Sequence, residues 1–181
     1  MIYLVRHGQT DWNMEKRMQG QIDIPLNDNG REQARAVSES ISKLKIDKII
    51  SSDLKRAKET AEIINEKIGA EISFDSRLRE INFGDLEGVS REEIMPETWA
   101  IFETTPEKLN AEPIDEVHKR IKGFFDELGK YDGNVLVVSH GGALRMAMYY
   151  EKNRNGFDNE EYTKNYRRMD INNADLFELN I

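Results

Sequence analysis

The chain has 181 residues, of which 38% are hydrophobic and 33% charged, with a formal net charge of -8. That length suits one folding unit with a sizeable core, and the acidic balance argues against nucleic acid or an anionic membrane as the bulk partner. The absence of cysteine excludes disulfides, thiolate chemistry and Cys-ligated zinc or iron–sulfur sites.

The first predicted element is IYLV, a short apolar run that ends in Arg6, His7 and Gly8. The few residues before Arg6 are far short of a signal-peptide core, and no run reaches the roughly 20 apolar residues of a membrane span. A cytoplasmic protein with no membrane partner is therefore expected. Ala34, Val37, Ile41 and Leu44 then fall at helical spacing, with Asn27 of PLNDNG as a plausible N-cap. DKIIS reads as a second strand. Leu54, Ala57, Ala61, Ile64 and Ile68 repeat the helical pattern, and Gly69 supplies its stop. AEISF reads as a third strand. From about Val89 to Pro113 the pattern turns irregular, with Met95-Pro96 and Thr105-Pro106 inside it. Short helices inserted over one end of the sheet are expected there. Ile114, Val117, Ile121, Phe124 and Leu128 mark the next helix, NVLVVS a buried strand, and DLFELNI a last strand for a sheet edge. Such alternation predicts an α/β fold, a three-layer αβα arrangement around a mostly parallel sheet. With no repeat or linker, a single domain over residues 1–181 is expected.

Two of the three histidines occupy matching places. His7 ends the first strand before Gly8, and His140 ends VLVVSH before Gly141 and Gly142. Ligands of open α/β sheets bind beyond the carboxyl ends of the strands, so both imidazoles are candidates to face one crevice. His118 lies mid-helix with no glycine or partner motif and is assigned a structural role. Arg56 opens the helix after the second strand, where its guanidinium suits two phosphate oxygens, assisted by free N–H groups of the helix start. Arg6 is a second candidate cation, although strand neighbours diverge, so the loop must bend to bring both Arg6 and His7 to the site. No Walker loop, dinucleotide fingerprint or HExxH helix occurs, and no metal or cofactor is expected. The residues alone point to an anion site lined by histidine and arginine.

RHGQTDWN, with Thr10 and Asn13 in RHGxTxxN spacing, resembles the signature of the histidine phosphatase superfamily, also called phosphoglycerate mutase-like. RMQGQIDIPLNDNGREQA, SSDLKRAKETA, LREINFGDLEG and VVSHGG resemble its further segments in order. The resemblance implies that His7 is the nucleophile that becomes phosphohistidine, with its other ring nitrogen donating to a backbone carbonyl. It implies that Arg6, Arg56 and His140 surround the non-bridging oxygens and that Glu80 serves as general acid and base. Thr10, Asn13, Gln19, Gly20 and Gly141 would complete substrate binding.

Gln9 stands where many relatives carry Glu, and Asn110-Ala111-Glu112-Pro113 replaces a Gly-Gly-Glu-Ser stretch, keeping only the acid. That region usually lies near the part of the ligand beyond the phosphate, so substrate identity is what it leaves open. A phosphatase for a small phosphorylated metabolite is favoured over a mutase, because Glu80 and His140 stand only 60 positions apart and a short cover admits water. A non-catalytic phospho-ligand module is the remaining reading. The size and LREINFG look like alpha-ribazole phosphatase, with sugar phosphates, phosphoglycolate and phosphoserine equally accessible. Trp12, Trp99 and Phe102 are expected to pack rather than to stack on a ligand. Oligomeric state is not readable.

Overall fold

The computed structural model describes residues 1–154 and 156–180. Its centre is a five-stranded sheet in the order β3-β2-β4-β1-β5, formed by β1 (Ile2–Arg6), β2 (Lys48–Ser51), β3 (Glu71–Phe74), β4 (Val135–Ser139) and β5 (Leu176–Leu179). The pairs β1–β4, β4–β2 and β2–β3 are parallel, and β5 runs antiparallel along the outer side of β1. The edge strand expected from DLFELNI is present as β5; Ile181, the last residue of that run, lies outside the described residues.

Alternation along the strands sorts the core into two layers. Ile2 and Leu4 of β1 and Val135 and Val137 of β4 face α5 (Ile114–Leu128) and α6 (Gly141–Lys152). Tyr3, Val5, Leu136 and Val138 face the other way, onto α2 (Asp28–Ile41) and α3 (Lys55–Ile68). Each such side chain taken from water contributes about 1.5–3 kcal/mol, and burial of β1 and β4 on both faces is what makes them read as unbroken apolar runs.

The ends of the helices follow local chemistry. Asn27 caps α2 by accepting the Gly30 N–H at 2.9 Å, and Gly69 closes α3 in the left-handed conformation at φ 69°. A short α1 (Asp11–Met14) is capped reciprocally by Thr10 and Asn13. Between β3 and α5 lie α4 (Pro96–Thr104) and a 3-10 turn at Pro106–Leu109. They rest on a small third cluster of Met18, Leu86 and Ile94 with Trp99 and Phe102 against it. A last helix, α7 (Asn159–Asn165), precedes β5. Among the described residues no helix is long and apolar enough to cross a membrane.

Candidate active site

β1 and β4 lie side by side with Arg6 opposite Ser139, so the residues that leave their carboxyl ends, His7 and His140, must emerge together. Their rings are 5.1 Å apart between centroids, and both are buried. His7 Nδ1 lies 2.7 Å from the Gly8 carbonyl. A carbonyl only accepts, so Nδ1 carries the proton and Nε2 keeps its lone pair. Burial, followed by the charges of Arg56 and Arg6, pushes the His7 imidazole well below its ordinary 6.5, and His7 is neutral at neutral pH.

Arg56 is wholly buried at the start of α3. Its guanidinium donates to the carbonyls of Gly20 at 2.6 Å and Ile22 at 2.8 Å, and through Nε to His140 Nδ1 at 3.2 Å. Because guanidinium only donates, His140 Nδ1 is unprotonated and Nε2–H is left to donate to Ser52 Oγ at 2.8 Å. His140 therefore has both nitrogens engaged and in this arrangement steers Arg56. The helix start also departs from expectation: the Lys55 N–H is not free but donates to Asp23 Oδ1 at 2.6 Å. Burial lowers both Arg56 and Arg6 to about 10, which leaves both cationic at neutral pH.

The bend that Arg6 requires comes from the chain before β5. Arg6 Nη1 donates to the Ile171 carbonyl, while the backbone of Arg6 bonds to Ala174 and Asp175. Asn173 Nδ2 donates to the carbonyls of His7 and Gly8 and to Asn13 Oδ1, at 2.9, 3.2 and 3.3 Å. Thr10 Oγ1 and N–H also donate to Asn13 Oδ1, so the oxygen of Asn13 is spent on structure and its amide NH2 is the group left for a ligand. Thr60 joins the two halves of the niche, accepting the Gly8 N–H at 3.0 Å and donating to the Arg56 carbonyl at 2.6 Å.

Glu80 arrives from the strap after β3. Its carboxylate accepts the N–H groups of Ile81, Gly142 and Ala143 at 2.9–3.2 Å, two of them free donors of the α6 start. A Cβ on Gly142 would fall 2.4 Å from Glu80 Oε1, so a side chain there would evict the carboxylate. Gly141 differs: the point its Cβ would occupy lies 3.6 Å from Arg145 Nη1 and 3.7 Å from Arg6 Nε, ordinary contact distances. Arg120 fixes the strap by donating to the carbonyls of Arg77, Arg79 and Glu80, with Glu112 as its ion-pair partner. The acid kept in Asn110-Ala111-Glu112-Pro113 thus holds the arginine that holds the strap.

Glu80 stands at the boundary between the buried niche and a cavity of about 510 Å³ lined by Arg91, Trp99, Phe102, Gly142 and Arg145, within the usual range for small-molecule sites. Trp99 and Phe102 both pack and face this cavity. Gln19 is buried with Oε1 lacking a hydrogen-bond partner. Gly20, at φ 52°, commits its carbonyl to Arg56 and keeps its N–H for a ligand. The structure thus gathers His7, Arg6, Arg56, His140 and Glu80 around one niche, with Thr10 supporting Asn13 beside it. His118 lies elsewhere, stacked on Phe157 at 4.8 Å. The sequence analysis does not select Ser52, Asn173 or Arg145; Ser52 lies inside SSDLKRAKETA and Arg145 three residues beyond VVSHGG, whereas nothing near Asn173 marks it.

The model of the histidine phosphatase superfamily, branch 1, matches residues 2–180. The chain belongs to the histidine phosphatase superfamily. Phosphoglycerate mutase-like protein 4 of Arabidopsis thaliana is 41% identical over 84% of this chain and 70% of its own. A probable phosphoglycerate mutase, GpmB, of Salmonella choleraesuis is 57% identical over 48% of this chain and 40% of its own, so that match spans less than half of the relative. Among solved structures, a mycobacterial glucosyl-3-phosphoglycerate phosphatase in complex with VO3 superposes with a TM-score of 0.84 at 30% identity, covering 97% of this chain and 88% of that one. The chain is thus similar in sequence to relatives with mutase-like names and shares its layered fold with the solved phosphatase.

The neutral histidines of this superfamily member make its stability depend on pH. In the unfolded chain both imidazoles titrate near 6.5, while in the folded chain burial keeps His7 and His140 deprotonated well below that. Between the two values the unfolded state binds more protons, so stability rises with pH and is lost on acidification below 6.5. Urea unfolding from about pH 7.5 to about pH 5.5 should cost the wild type up to about 1.4 kcal/mol per histidine beyond the loss of a His7→Asn/His140→Asn variant. Equal losses in the two proteins would show that these imidazoles do not resist protonation.

Proposed function

We propose that the protein is a metal-independent phosphomonoesterase that hydrolyses a small phosphorylated metabolite through phosphohistidine on His7. The observation that carries this reading is the fixed tautomer of His7. Its Nδ1–H is held by the Gly8 carbonyl, which leaves a lone pair on Nε2 in a niche with the guanidinium groups of Arg6 and Arg56 close by. Attack of Nε2 on phosphorus places the entering nitrogen and the leaving oxygen in line. The leaving oxygen then departs toward Glu80 and the cavity, where the alcohol has room. Arg6 and Arg56 stabilise the charge on the three non-bridging oxygens, and His140, accepting from Arg56 Nε, keeps that guanidinium aimed at them. Glu80 delivers a proton to the departing alkoxide and later takes one from the water that cleaves the phosphoenzyme. Asn13, Gln19 and the N–H of Gly20 contribute further donors, and the Gly141 backbone lines the niche beside Arg6.

Mutase-type transfer is the second reading, favoured by the names of the Arabidopsis and Salmonella relatives. The cavity open beside Glu80 favours water as the acceptor. A chelator-treated turnover screen over phosphorylated metabolites, with product analysis on 3-phosphoglycerate, separates the two: free phosphate supports hydrolysis, and 2-phosphoglycerate without phosphate overturns it. Glu80→Gln tests the acid. It should lower kcat/KM for an alkyl phosphate by about a hundred- to ten-thousand-fold. The effect on phosphorylation by para-nitrophenyl phosphate, whose phenolate leaves unaided, should be far smaller. Equal losses on both esters would remove Glu80 from that role.

A further inference from the structure

The acceptor that fixes the His7 tautomer belongs to the residue of the niche whose backbone is least restrained by its own chemistry. A Cβ on Gly8 would fall 2.3 Å from the Gly30 carbonyl oxygen, so the close approach of α2 demands glycine there, and glycine turns most freely. Yet the Gly8 carbonyl is what holds His7 Nδ1–H at 2.7 Å. Two peptide units meet at Gly8. The first, between His7 and Gly8, places its N–H on Thr60 Oγ1 at 3.0 Å. The second, between Gly8 and Gln9, places its N–H on Gln33 Oε1 at 2.9 Å. Their carbonyl ends converge on one group, the Asn173 amide, which donates to the His7 oxygen at 2.9 Å and to the Gly8 oxygen at 3.2 Å. Thr60 and Gln33 each hold one peptide unit; Asn173 reaches both. Asn13 Oδ1 is a third oxygen facing that amide, so its nitrogen is the atom turned toward them.

The segment that carries Asn173 is itself tied down. Ala174 holds a left-handed φ of 60°, unfavourable for alanine, while its N–H donates to the Arg6 carbonyl at 3.1 Å and the Ile171 carbonyl accepts Arg6 Nη1. Strain of this kind persists where the surroundings over-determine the backbone. We infer that Asn173 is a positioning residue that sets the tautomer of His7. It acts through the backbone: by fixing both peptide units at Gly8 it keeps the carbonyl under Nδ1–H and the lone pair on Nε2. The hydrogen bond at one ring nitrogen decides which nitrogen carries the proton. A neutral histidine without such a bond favours the Nε2–H form, which offers phosphorus no lone pair at that atom. The inference rests on the phosphohistidine reading and deepens it.

Ring-nitrogen NMR of the full chain labelled with 15N-histidine tests it, since three histidines give a short spectrum that single substitutions assign. In wild type His7 should show a protonated Nδ1 and a bare Nε2. His140, with Nδ1 facing Arg56 and Nε2 facing Ser52, should show the reverse and serves as the control. In Asn173→Ala the two His7 resonances should move toward each other while those of His140 stay. The kcat/KM for a phosphomonoester should fall about a hundred-fold, the scale of a reacting group displaced by a distant substitution. Inhibition by inorganic phosphate should be nearly unchanged, because Thr10 still holds Asn13 Oδ1 and both arginines remain. Asn173→Ser, which keeps a single donor, should show a smaller change in both readings and carries the test if the alanine variant does not fold. A His7 spectrum unchanged in the folded variants, movement of His7 and His140 together, or a loss of activity matched by the loss of phosphate affinity overturns the inference. Should no ester turn over even in wild type, the phosphatase reading fails, and the ring nitrogens still decide what Asn173 does.

Discussion

Replacing His7 with alanine is expected to lower kcat/KM by about ten-thousand-fold or more, the scale on which enzymes lose activity with their nucleophile, and to abolish covalent labelling. The size follows from position. No other neutral nitrogen in the niche is free: the His140 ring has Nδ1 facing Arg56 and Nε2 facing Ser52, so it offers no lone pair to phosphorus. A brief reaction of wild type with a labelled substrate, quenched in alkali, should trap label on His7 that is released in acid, as a phosphoramidate requires. The variant should still fold. The Gly8 carbonyl that His7 Nδ1 occupies also accepts from Asn173 Nδ2, so it is not orphaned, and the stability cost comes chiefly from the space left by the ring. Melting curves of the variant check this. Retention of more than about a tenth of wild-type activity would show that transfer to water occurs without a histidine intermediate, and would sink the mechanism.

The layered fold was legible because strand and helix periodicities are written in short windows: IYLV and NVLVVS are apolar throughout since both faces are covered, and Asn27 and Gly69 end their helices by local chemistry. Sheet order was not legible, since nothing within β4 states that it inserts between β2 and β1. The same limit hid the clamp on the niche. Ile171, Asn173, Ala174 and Asp175 reach Arg6, His7 and Gly8 only because β5 runs antiparallel beside β1, across more than 160 positions of chain. Ser52 lay in a quoted segment, yet its role depends on where His140 Nε2 points. The second glycine after His140 has a reason that only the fold states: the Glu80 carboxylate occupies the volume that a side chain on Gly142 would need.

Arg56→Met is expected to cost about a thousand- to hundred-thousand-fold in kcat/KM, the range observed when an arginine that neutralises a transferring phosphoryl group is removed. Two effects combine, and they can be told apart. The guanidinium remains cationic although burial lowers it to about 10, so methionine removes a charge aimed at the non-bridging oxygens. It also strips donors from the carbonyls of Gly20 and Ile22, which Arg56 reaches from inside the fold, and each buried acceptor left unpaired costs about 1–3 kcal/mol. The loop carrying Gln19, Gly20 and Gln21 should therefore loosen, with faster amide exchange over residues 19–22, while the sheet core keeps its protection. If charge dominates, Arg56→Lys restores part of the loss and orthovanadate binds the methionine variant far more weakly than wild type. If loop order dominates, lysine does not help, because an ammonium cannot span both carbonyls and an oxyanion as the planar fork does. The geometry favours a large charge effect with a smaller loop effect, and wild-type vanadate affinity in Arg56→Met would refute the assignment of this buried cation to the phosphoryl group.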